Sequence, residues 1–183
     1  MSEQSPLSLG TEDIKKLLMR YAVPAIVAMT AASLYNMMDS IFIGHGVGAL
    51  GIAGLAVTFP FINLAAAFGS LVGVGASTLV SVKMGQKDLK SAEAVLGNVL
   101  LLNTVIGFLF MTVCLIFLDP ILYFFGASAD TLPYARDYMK VILYGNLITH
   151  IYMGLNEVMR ASGYPQRAMM ATLFAVLING VLN

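Results

Sequence analysis

Residues 50–82 read LGIAGLAVTFPFINLAAAFGSLVGVGASTLVSV, a run without a single charged side chain or histidine. A helix needs about 20 largely apolar residues to cross a ~30 Å hydrocarbon core, and in lipid only helices and closed barrels satisfy every backbone polar group. At ~1.5 Å per residue this run would measure about 50 Å, so it is either one tilted or kinked helix or two short ones. The run does not alternate apolar with polar residues, which sets aside a barrel strand. Its small residues Ala65, Gly69, Gly73 and Ser77 recur every fourth position and form a ladder on which another helix can pack closely. The phrase Gly73-Val-Gly-Ala lies inside this apolar run and lacks the Lys-Ser/Thr of a phosphate loop, so nucleotide binding is not supported.

Outward from this run the chain keeps the same character. Four further apolar stretches cover about 21–43, 92–118, 134–159 and 168–183, the last cut by the chain end. The whole is 58% hydrophobic and 11% charged, against roughly 45–50% and 25% in soluble domains. These features predict an all-α integral membrane protein with five transmembrane helices. Ten basic and ten acidic residues cancel, which leaves no electrostatic footprint for nucleic acid. Residues 1–20 carry acids and no small-residue cleavage pattern, so they are expected as a lead-in rather than a signal peptide. Thr11, followed by Glu12 and Asp13, is the expected N-cap of an amphipathic segment bearing Lys15, Lys16 and Arg20.

Charge parity settles the length of the 50–82 run. Taken as one span, it places Lys15, Lys16, Arg20, Lys83, Lys87, Lys90, Arg160 and Arg167 on one side and only Arg136 and Lys140 on the other. The positive-inside rule then favours a single span, a cytoplasmic N-terminus and external turns at 44–49 and 119–133. Pro60 is the expected place for a bend.

The residues with chemistry to offer are few. Asp39 has Asn36 at i−3 and Tyr35 at i−4, so all three project from roughly one helix face. An ionisable group inside a span costs energy and ordinarily faces a cavity, where it binds protons, ions or cationic ligands. The plainer alternative is an acid that snorkels to the outer interface. Asn146, His150 and Glu157 make a polar stripe, within about 40° on a 3.6-residue period. A Glu157–Arg160 salt bridge and interhelical hydrogen bonds of His150 are the structural readings of that stripe, and a proton relay is the functional one. Asn179 and Asn183 stand one turn apart and need partners in an apolar setting. Cys114, the single cysteine, reads as a small apolar filler, and neither a disulfide nor a cysteine metal site can form. No nucleophile and base can be assembled, so an enzyme is not expected.

Three strings, Tyr35-Asn-Met-Met-Asp39-Ser-Ile-Phe-Ile-Gly44-His, Ser81-Val-Lys-Met-Gly85-Gln-Lys-Asp88 and Arg160-Ala-Ser-Gly163-Tyr-Pro165, occur in order with Pro60 and Gly73-Val-Gly-Ala-Ser77 between. Together they resemble the multidrug and toxic compound extrusion (MATE) family. The resemblance implies a twelve-helix antiporter of two six-helix lobes, exporting organic, often cationic compounds against Na⁺ or H⁺, with no cofactor beyond that coupling ion. It implies a cation or proton site at Asp39, joined by an asparagine that best matches Asn183. It further implies that these residues are most of the N-terminal lobe, that the C-terminal half is missing, and that the protein sits among lipids of a bacterial inner membrane. A lipid-linked saccharide flippase of the same superfamily is the alternative cargo reading; an intramembrane metal enzyme using His150 and Glu157, or a scaffold, are rivals of other classes.

Overall fold

The computed structural model describes residues 13–182, with side chains described through residue 178. Six helices follow one another: α1 Ile14–Gly46, α2 Ala49–Gly85, α3 Leu89–Ile116, α4 Leu118–Phe124, α5 Leu132–Ala161 and α6 Pro165–Leu182. The 50–82 run is thus one continuous helix of 37 residues, with Pro60 inside it.

Helix α1 begins earlier than the apolar pattern suggests. No break separates residues 14–20 from the apolar run opening at Tyr21; one helix of 33 residues carries both. Its N-cap is Asp13, whose carboxylate accepts the Lys15 backbone N–H at 2.8 Å, so Asp13 acts as the cap rather than as a first-turn acid. Thr11 lies outside the described residues.

Two of the strings quoted above turn out to be helix stops. Lys87 takes a left-handed φ of 60°, and the Asp88 N–H reaches back to the Lys83 carbonyl at 2.9 Å, which closes α2. Asp88 then caps α3 by accepting the Ser91 N–H at 3.2 Å. Its carboxyl is held below the ordinary value of 3.8 by the Ser91 hydrogen bonds, helped by Lys83 at 3.7 Å. At the end of α5, Gly163 adopts φ 89° while the Tyr164 N–H bonds the Met159 carbonyl at 3.1 Å, and Pro165 opens α6 where its missing N–H costs nothing.

The expected external turn at 119–133 contains a helix of its own. In α4, Leu122 is fully buried and Leu118 nearly so, and both join Phe61, Cys114, Met139 and Leu143 in one apolar cluster. Burial supplies the stability that seven residues lack alone. Arg136 of α5 donates from Nε to Asp119 at 2.7 Å and pairs with it through Nη2, tying α4 to the start of α5. Cys114 is the buried filler its setting suggested.

The lobe is built around α5. Helices α2, α3 and α5 interlock, α1 pairs chiefly with α6, and α6 meets α5. On α2 the buried positions run Gly51, Gly54, Thr58, Phe61, Ala65, Gly69, Gly73, Ala76 and Val80, a stripe of 3.6-residue period facing the core. The small-residue ladder sits on this stripe and veers from Ser77 to Ala76 at its end. Among the described residues three helices, α1, α2 and α3, are long and apolar enough to cross a membrane by length and composition. Helix α5 is long enough, but Asn146, His150, Asn156 and Glu157 lower its apolarity. Large side chains such as Ile26, Met37, Leu101 and Ile148 are exposed around the bundle, as they are when hydrocarbon is the solvent.

Candidate functional site

Two polar stripes run along α5, on different faces. Counted from Tyr138, the residues Tyr152, Asn156 and Arg160 lie 14, 18 and 22 positions on, all within about 40° at 100° per residue. This stripe faces α1 and α6. At the end nearest the start of α5 the Tyr138 hydroxyl donates to Asp39 Oδ2 of α1 at 3.5 Å, with Asp39 and Tyr35 both half-buried on the same side of α1. Asn36 does not join them: its side chain is exposed, and it contributes only its backbone carbonyl, to Ser40 Oγ at 2.9 Å. On the wheel, i−4 and i−3 fall to opposite sides of Asp39, so Tyr35 turns inward and Asn36 outward.

Further along the stripe, a cleft of about 180 Å³ opens between α1, α5 and α6. Ala28, Met29 and Ala32 of α1 and Met153 of α5 make its apolar walls. Its polar side is a chain of hydrogen bonds: Tyr152 Oη with Thr172 Oγ1 at 2.7 Å, Asn156 Nδ2 to the Ala168 carbonyl at 3.1 Å, and Arg160 Nε to Asn156 Oδ1 at 3.0 Å. The expected Glu157–Arg160 bridge is absent among the described ion pairs. Asn156, one turn before Arg160, takes the guanidinium instead, and Glu157 is left lining the cleft with its Cβ side toward Gly73 of α2.

The second stripe is the one the sequence suggested, Asn146, His150 and Glu157. The fold brings the first two together in the core and adds Asn103 of α3. His150 is 1% and Asn103 0% exposed. His150 Nδ1 donates to the Asn146 carbonyl at 2.9 Å, because a carbonyl can only accept; in the neutral ring the opposite nitrogen, Nε2, then carries the lone pair. The ring lies between Gly69 of α2 and Gly107 of α3, with Phe110 at 5.8 Å. His150 Nε2, Asn146 Nδ2 and both ends of the Asn103 carboxamide have no hydrogen-bond partner among the described residues. Among those residues no three His, Cys, Asp or Glu side chains converge as metal ligands would. The Asn179 side chain and the whole of Asn183 lie outside what is described.

Tyr138, Tyr152, Asn156 and Asn103 did not emerge from the sequence reading. The first three share a legible spacing, whereas Asn103 stands alone in Leu100-Leu-Leu-Asn-Thr-Val and gains meaning only from its neighbour Gly154.

The MatE family pattern matches residues 24–183. The chain belongs to the MatE family. The multidrug export protein MepA of Staphylococcus haemolyticus (strain JCSC1435) is 27% identical over 183 residues, covering 100% of this chain and 40% of that protein. MepA of Staphylococcus aureus (strain MRSA252) is 27% identical over 168 residues, 92% of this chain and 37% of the other. Among solved structures, a MOP superfamily transporter from Pyrococcus furiosus, described as having a binding pocket of reverse polarity, aligns with TM-score 0.89 at 27% identity, over 98% of this chain and 40% of that one. An outward-facing multidrug resistance MATE family transporter aligns with TM-score 0.86 at 28% identity, over 93% and 38%. The MatE chain thus spans about 40% of the length of its curated relatives. It is an all-helical, multi-pass membrane protein of a transporter family.

Proposed function

We propose that these residues supply the N-terminal lobe of a secondary active multidrug antiporter, which exports small organic, often cationic compounds in exchange for Na⁺ or H⁺. In this reading α1, α2, α3, α5 and α6 are five spans, the N-terminus is cytoplasmic, and the membrane is the bacterial inner membrane. Further helices, outside this chain, complete the pathway. No cofactor is needed beyond the coupling ion.

The observation that carries the reading is the placement of Asp39. Its helix is apolar enough to span a membrane, and a charge within such a helix is costly, by about 2.5–3.5 kcal/mol or more at the bilayer centre and by less toward the helix end, where Asp39 lies. The carboxylate is half-buried on the α5 side and accepts the Tyr138 hydroxyl, a weak bond at 3.5 Å that an arriving cation or proton can displace. A proton or Na⁺ on Asp39 competes with a cationic substrate for one negative charge, which is the elementary requirement of exchange. Tyr35 flanks that site, and Asn179 and Asn183 are proposed to complete it from the end of α6.

The test is efflux of a fluorescent organic cation by the full-length protein in proteoliposomes, with imposed Na⁺ and H⁺ gradients. Asp39→Asn is expected to abolish the gradient dependence. Coupled efflux that persists unchanged in Asp39→Asn removes the assigned role.

A further inference from the structure

Helix α5 turns two side chains of opposite charge into one cleft. Arg160 commits only Nε to Asn156, which leaves its two Nη groups with no acceptor among the described residues. Glu157, three positions earlier, is half-buried and paired with no cation among the described residues. At i,i+3 their Cβ atoms stand about 5–6 Å apart, close enough for both charges to meet one small head group. An unpaired carboxylate in apolar surroundings is costly and calls for a cationic partner, and the free face of the guanidinium calls equally for an anionic one. The remaining walls suit neither charge. Met29 and Met153 present adaptable thioether side chains, and Ala28 and Ala32 leave room between them. At about 180 Å³ the cleft is smaller than the roughly 300–1,000 Å³ of drug-sized sites.

We propose that the α1/α5/α6 cleft recognises a small amphipathic zwitterion, with its ammonium on Glu157, its carboxylate on the Nη groups of Arg160, and its apolar body between Met29 and Met153. This rests on the transporter reading for its biological use, and it assigns the lobe a second station, seven or more residues along α1 from Asp39. A plain organic cation would leave Arg160 unmatched and would be repelled by it; a plain anion would meet Glu157 in the same way.

Equilibrium binding to the purified full-length transporter in an Asp39→Asn background, which removes the cation site proposed there, tests this without any ion gradient and with three matched probes: phenylalanine, phenethylamine and 3-phenylpropionate. Phenylalanine is expected to bind about tenfold or more tighter than either single-charge probe, the scale of one charge-assisted hydrogen bond. Glu157→Gln should erase its advantage over 3-phenylpropionate, and Arg160→Gln its advantage over phenethylamine. Arg160→Lys keeps the charge but loses the fork, and should retain part of that advantage; thermal unfolding of each variant shows that it is folded. Equal binding of phenylalanine and phenethylamine, phenylalanine binding indifferent to Glu157→Gln, or no binding of any probe each overturns the proposal. Because no gradient is applied, a failure here is separate from a failure of Asp39 in coupled efflux.

Discussion

Gly73→Ala is the perturbation that most directly tests how the lobe is held together. A Cβ on Gly73 would stand 2.8 Å from Gly154 Cα and 3.2 Å from both the Gly154 carbonyl oxygen and Glu157 Cβ. Two of these three atoms are α5 backbone, which no rotamer change can move. Carbon atoms prefer about 3.5–4.0 Å, so α2 and α5 must separate locally by roughly 0.7–1.2 Å. Overpacking of this kind costs about 1–3 kcal/mol. Alanine is also the better helix former by about 1 kcal/mol, which partly conceals the steric cost in a single variant. Gly75→Ala supplies the reference, since a Cβ there meets nothing within 4 Å and gains the same propensity. The difference between the two variants therefore isolates the steric term: Gly75→Ala should be about as stable as wild type or more so, and Gly73→Ala about 1–3 kcal/mol below it. Parallel unfolding of the full-length protein in detergent measures this. Two variants that agree within about 0.5 kcal/mol would refute the close approach of α2 and α5 at this point.

Two further predictions concern polar groups, one fully buried and one at a helix start. Asn103→Ala should change stability by less than about 1 kcal/mol, because neither end of the carboxamide is hydrogen bonded to a described residue; a loss above about 2 kcal/mol would contradict this. Asp88→Ala removes the α3 cap, and its effect should depend on pH in a definite direction. The folded carboxyl titrates below 3.8, so its contribution is complete above that value and drains away as pH falls through the lower folded value. The stability gap between wild type and Asp88→Ala should close on acidification, and a gap that widens contradicts the cap.

Much of the architecture was legible because one solvent rule dominates it. A charge-free run as long as 50–82 has few ways to satisfy its backbone, and it forms the single helix α2 that charge parity favoured. What escaped the sequence was decided by tertiary competition. Leu118-Asp-Pro-Ile-Leu-Tyr-Phe124 carries turn signals, and only the pocket that buries Leu118 and Leu122 makes it helical. Glu157 and Arg160 have the spacing of an ion pair, but Asn156 offers Arg160 a partner one turn away, on the face α5 turns to α6. Asn36 has the right offset from Asp39 to share its face in outline, yet the rotation between i−3 and i−4 is enough to leave it outside. Tyr138 was missed because its role depends on which helix lies opposite, and periodicity is silent on that.

The two faces of α5 hold their neighbours by different physics. Toward α2 and α3 the contact is backbone against backbone at Gly73 and Gly154, backed by Phe61, Met139 and Leu143. Close-packed surfaces of that kind resist sliding, because any displacement opens voids or collisions. Toward α1 and α6 the contact is a line of side-chain hydrogen bonds, Tyr138 to Asp39, Tyr152 with Thr172, and Asn156 to the Ala168 carbonyl. Such bonds can be exchanged one for one with an ion, a proton or a ligand head group at little net cost. Two acids, Asp39 and Glu157, border this second seam. In the proposed antiport a cation arriving there would act on the interface of the lobe that can yield, with the α2/α3/α5 core as its fixed part.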